Sequence, residues 1–219
     1  MDDVNATAIK QITESAREVL RPLGMFQKGR PRIWLADNTW WMVVVEFQTG
    51  GMSKGFYLNV GCMWLWNVKS YLSFDEGYRV DKFHRFESAS ELTAVAEQVS
   101  QRAADEVLRY QSLFPSIRAV SDYYLRHPPP DSFWPEFNAA IAHVLSGRDK
   151  VGAALLSRKI GKMNTSIEWQ KNAALDAELL LAEIPFPDRF KERIEDRILQ
   201  SRKLHNLQPA EEVNLSPTP

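Results

Sequence analysis

The chain has 219 residues, 44% of them hydrophobic, 25% charged and 11% aromatic, and is long enough to bury a core without cross-links. Lys and Arg number 27 against 28 Asp and Glu, and this net charge of −1 argues against a whole-chain footprint for nucleic acid or an anionic membrane. The single cysteine, Cys62, excludes an intramolecular disulfide and a cysteine-based zinc site.

The N-terminus opens acidic and polar, without the pattern of a signal peptide. No apolar run approaches the roughly 20 residues that span a bilayer, so the expectation is a cytoplasmic protein with no membrane segment. Ile9, Ile12, Ala16, Val19, Leu20 and Leu23 form a helical stripe over Ala8 to Leu23, which Pro22 and Gly24 end. A basic turn follows, carrying Lys28, Arg30 and Arg32, and then a short apolar run at Ile33-Trp34-Leu35. Trp41, Val43, Val45 and Phe47 then alternate with Met42, Val44, Glu46 and Gln48. After a glycine-bearing turn the period of two resumes with Phe56, Leu58, Val60, Cys62, Trp64 and Trp66 on one face. This pattern predicts a hairpin of about residues 40–49 and 55–66, with its apolar face on the first helix.

From Ser88 the period changes to 3.6. Ser88 and Glu91 have capping-box spacing, and the stripe Leu92, Val95, Val99, Ala103, Val107, Tyr110 and Phe114 predicts a helix of some six turns. The run His127-Pro128-Pro129-Pro130 stops the next helix, because proline lacks an amide and restrains the residue before it. Beyond it the sequence reads as helices from Phe133 to Leu145, Asp149 to Ile160, a third opened by a capping box at Thr165 and Glu168, and a fourth from Asp188 to about Leu204. Gly161 is expected to provide a left-handed exit. The reading is thus α+β: an N-terminal helix packed on a mainly antiparallel sheet, followed by an all-helical part. The expected divisions are an α+β domain over 1–126, a helical bundle over 131–205 and a disordered tail over 206–219.

No catalytic motif stands in the chain. His84, His127, His143 and His205 lie on different elements without chelating partners at helical spacing, so neither a metal site nor a cofactor is expected. Gly50-Gly51 with Lys54 reads as a hairpin turn, since no helix follows to bind phosphate. Asp81 and His84, three apart on a presumed strand, are expected to point to opposite faces.

Three stretches resemble the DUF4304 family of uncharacterised domains: Leu20 to Arg30 with Trp34 after it, Val43 to Gln48, and Phe56 to Gly61. Their order and spacing fit over about residues 8 to 66, and more loosely to Arg109. Met25 before Phe26, and Thr49-Gly50 after the glutamine, depart from the pattern. The resemblance implies an α+β fold for this half. The family has no established activity to carry over, and the helical half matches nothing we can name.

The candidate binding residues are Lys28, Arg30, Trp34, Gln48, Tyr57 and Asn59, cations and amides beside aromatics near the hairpin. They suit a non-catalytic protein-binding or adaptor module with a protein partner, a toxin-immunity-like role among the forms it takes. The alternative is an enzyme or small-ligand binder acting on an anionic substrate, with Lys28, Arg30, Gln48 and Asn59 holding it and Glu46 or Asp81 as base. Convergence on one deep pocket favours the enzyme; spread over an open sheet favours the module.

Overall fold

The computed structural model describes residues 2–29, 32–50, 54–210 and 212–215. The architecture is α+β, and the chain forms two compact units that are not contiguous in sequence: Met1–Met63 with Tyr71–Ser112, and Trp64–Ser70 with Leu113–Pro219.

In the first unit, α1 (Asp2–Leu20) buries Ala8, Ile12, Ala16 and Leu20, an i, i+4 stripe that faces the core. Pro22 stops the α-helix. A 3-10 turn, Arg21–Leu23, leads to Gly24 at φ 77°, the left-handed position that glycine occupies without strain. The sheet runs β1 (Phe26–Gln27), β2 (Ile33–Asp37), β3 (Trp41–Thr49), β4 (Gly55–Trp64) and β5 (Glu76–Arg79) in spatial order, with β6 (His84–Arg85) also pairing β4. Each pair whose register is defined is antiparallel: Trp34 lies opposite Val45, Asn59 opposite Arg79, and Gly55 opposite Arg85.

Residues directly opposite in an antiparallel pair share a face. One face therefore carries Trp34, Val43, Val45 and Phe47, and Phe56, Leu58, Val60 and Cys62 of β4 are buried with them. The sequence-predicted hairpin is present, and α1 contacts β3. Helix α2 (Ala89–Leu113) belongs to the same unit: the Tyr78 hydroxyl meets the Glu106 carboxylate at 3.5 Å. Its start carries the expected cap. The Glu91 amide donates to Ser88 Oγ at 3.2 Å, and the Glu91 carboxylate reaches back to the Glu87 amide at 2.6 Å. The other sheet face is buried at Leu35, Met42, Val44 and Met63 and opens into polar residues towards Glu46 and Gln48.

The second unit is an array of helices: α3 (Ile117–Arg126), α4 (Phe133–Leu145), α5 (Asp149–Ile160), α6 (Glu168–Glu183) and α7 (Pro187–Leu204). From α3 to α7 each packs on the next. Segment Trp64–Ser70 is built into this array. The indoles of Trp64 and Trp66 stack 5.1 Å apart, and donate to Tyr124 Oη and Asn138 Oδ1, both at 3.0 Å. Both donors are thereby satisfied in a buried setting. Arg197 adds a 2.6 Å bond to the Trp66 carbonyl.

Several expectations change. The proline run 127–130 lies inside the helical unit, because α3 packs on α4 across it. Division follows tertiary pairing instead: β4 pairs with β5, so the chain leaves the sheet unit after Met63 and returns at Tyr71. The tail expected to be disordered buries Leu207, Val213 and Leu215, three apolar side chains that find places in the array. Gly161 ends α5 at φ −63°, a right-handed exit, and Ile167 rather than Thr165 caps α6.

Candidate functional site

The polar end of the open sheet face is assembled across three strands. Glu46 and Gln48 stand at alternate positions of β3, Tyr57 and Asn59 at alternate positions of β4, and Arg79 lies opposite Asn59 on β5. The Asn59 amide donates to Glu46 Oε2 at 3.0 Å and to Gln48 Oε1 at 3.3 Å. Arg79 Nε donates to Asn59 Oδ1 at 3.3 Å, and its Nη2 to Gln48 Oε1 at 2.8 Å. The guanidinium lies 3.8 Å from the centre of the Tyr57 ring, whose other neighbour is Phe83 at 4.7 Å between centroids. Stacking on an aromatic face and two hydrogen bonds fix this cation in one orientation.

A close approach of β4 to β5 sets this geometry. Gly61 and Gly77 face each other in the ladder, and a Cβ on Gly77 would sit 2.5 Å from Gly61 Cα and 2.9 Å from the Val60 carbonyl. Only hydrogens fit between them, which brings Arg79 within reach of Asn59 and Gln48.

Of the six sequence-predicted site residues, Gln48, Tyr57 and Asn59 come together here. Lys28 continues the β1 register, its amide donating to the Ile33 carbonyl at 3.0 Å; Ile33 in turn lies opposite Glu46. Trp34 does not join them: it pairs with Val45 on the other face and is 0% exposed, a core residue. Arg30 lies outside the described residues. The site residue that sequence reasoning missed is Arg79. The signal was present in Gly77-Tyr78-Arg79 after the acidic turn, read in period two, which sets Arg79 on the same face as the small Gly77.

The suggested bases fall elsewhere or are engaged. Glu46 accepts from Asn59. Asp81 Oδ2 lies 3.5 Å from His84 Nε2, so these two do meet, because residues 80–83 form a bend rather than a strand. His84 lies opposite the core residue Phe56, away from the Arg79 face. Grooves of about 480 Å3 and 220 Å3 lie in the helical unit, and one of about 240 Å3 lies at the start of α2. None of the five described candidate residues lines any of these three.

A second polar cluster, in the helical unit, pairs a hydroxyl with an imidazole. Ser121 Oγ is 2.8 Å from His143 Nδ1, and Arg148 bonds both Ser121 and Asp122. Ser121 is 0% and His143 2% exposed, so no substrate reaches the hydroxyl and the cluster ties α3 to α4. Burial, with the nearby Arg148 charge adding to it, holds the His143 pKa below its ordinary 6.5. A lowered folded pKa means that the unfolded chain binds the proton first. The stabilisation is therefore complete above pH 6.5 and is lost as pH falls below it. The melting temperature of the wild type is expected to fall more steeply from pH 7 to pH 5 than that of His143→Gln. Parallel pH profiles would remove this role.

No protein-family model, curated protein or solved structure matches the chain. No described helix is long and apolar enough to cross a membrane.

Proposed function

We propose that this chain is a cytoplasmic, non-catalytic protein-binding module whose contact surface is the polar sheet face around Arg79. The observation that carries the reading is the gathering of Gln48, Tyr57 and Asn59 on one oriented guanidinium. Amides and a stacked aromatic are groups of recognition: they offer fixed donors, acceptors and contact area, and the amides exchange no proton near neutral pH. The one carboxylate among them, Glu46, serves as an acceptor that fixes Asn59. An adaptor or toxin-immunity-like role is the biological form of this reading. A DUF4304-like sheet unit is also part of it, the three resembling stretches falling at the end of α1 through β2, on β3 and on β4.

The test is recovery of partner protein from the source cells by the tagged full chain, against a Gln48→Ala/Asn59→Ala double variant. A specific partner is expected with the wild type, reduced about tenfold by the double variant. The melting temperature should move by no more than about 3 °C, since half-exposed side chains contribute little to stability. Equal recovery by both proteins would contradict the proposal.

A further inference from the structure

The outward side of α6, in the helical unit, is apolar where a surface helix is ordinarily polar. The helix buries Ala173, Ala177 and Leu180 within the array, where α5 and α7 pack on it. On the opposite side Leu175 is 49% and Leu179 53% exposed, and Ala182 is exposed one turn further on. The spacing i, i+4, i+7 is that of successive seam positions in a coiled coil. Leu108 of α2 and Leu125 of α3 are as exposed, but neither has an exposed apolar residue a turn away along its helix.

The two flanks of this stripe differ in charge. On one, the acids are already tied to α7: Asp176 accepts from Arg197, and Glu183 from Arg193. On the other, Lys171 and Glu178 are exposed, and neither meets an opposite charge among the described residues. Seven residues apart, they are separated by about 10 Å along the helix and do not neutralise each other. An identical helix running the opposite way neutralises both. A two-fold axis crossing α6 between Leu175 and Leu179 sets Leu175 of each copy on Leu179 of the other. It also brings Lys171 of each copy to Glu178 of the other. The same pairing lays the start of one helix, with its half-exposed Trp169, beside the end of the other, where Phe186 is half-exposed. A parallel pair in register would instead set Glu178 against Glu183, like charge against like.

We propose that α6 is a self-association face. Two copies of this chain pair antiparallel through Leu175, Leu179 and Ala182, with Lys171 of each on Glu178 of the other. The apolar area on offer is on the order of 500 Å2 per copy, against roughly 800 Å2 per partner in a standard interface, so the dimer forms and dissociates readily. The polar sheet face belongs to the other unit, so this inference and the binding-module reading can fail separately.

The test is sedimentation velocity of the full chain from about 10 μM to 1 mM, where a monomer–dimer equilibrium is expected. Leu179→Glu should weaken it at least about tenfold, because a charge then lies opposite Leu175 of the other copy. Lys171→Glu sets like charges across the axis and should weaken it about fivefold. The double variant Lys171→Glu/Glu178→Lys should restore the wild-type constant, since exchanging the two signs leaves both pairs intact. Each variant should melt within about 3 °C of the wild type, because the replaced side chains are exposed. A monomer throughout the range, a dimer indifferent to Leu179→Glu, or a double variant no tighter than Lys171→Glu would overturn the proposal.

Discussion

Leu58→Asp is expected to unfold the sheet unit. Leu58 is 0% exposed at the centre of the apolar face, flanked on its own strand by Phe56 and Val60, each also 0% exposed. Removing a buried leucine costs about 2–5 kcal/mol by itself. A carboxylate left there without a partner adds several kcal/mol more, by charge or by forced protonation. Together these rival the roughly 5–15 kcal/mol that holds a domain folded. The backbone amides of β3 and β4 should exchange within minutes, and strand signal should vanish at urea concentrations that leave the wild type intact. A variant melting within a few degrees of the wild type would show that Leu58 is not in the core.

Gly77→Ala is the second large effect, and it connects stability to the binding face. The new methyl would lie 2.5 Å from Gly61 Cα and 2.9 Å from the Val60 carbonyl, both backbone atoms that no rotamer change can move aside. Either β5 separates from β4 or the ladder distorts, at a cost of about 3 kcal/mol. Separation carries Arg79 away from Asn59 and Gln48, two bonds that depend on the register of β5. The variant should therefore lose binding even in molecules that stay folded, together with the exchange protection of Tyr78 and Val80. Unchanged stability and binding would show that the close approach is not required.

The apolar alternation of Val43, Val45 and Phe47, and of Phe56, Leu58 and Val60, made the hairpin legible, because a period of two reports directly which side of a strand meets the core. Ser88 and Glu91 marked the start of α2 because a cap is a local device, written within four residues. Non-local choices were hidden. Nothing in the local pattern around Asp75 says that β5 returns to β4 after the excursion through Trp64–Ser70, and the division into units depends on that pairing. The same limit applied to the site. Gln48, Tyr57 and Asn59 were legible as polar positions on alternating strands, whereas Arg79 joins them only through the β4–β5 register. Trp34 misled because an aromatic beside cations resembles a binding group until its opposite residue, Val45, places it in the core.

The measurement that tests the account most directly is site-specific photo-cross-linking in the source cells. The cross-linker replaces Lys82, an exposed residue on the connection just after β5, in the full chain with and without Arg79→Gln. The account predicts one dominant protein adduct and its loss to about a tenth in Arg79→Gln. An adduct of undiminished yield in Arg79→Gln would contradict it.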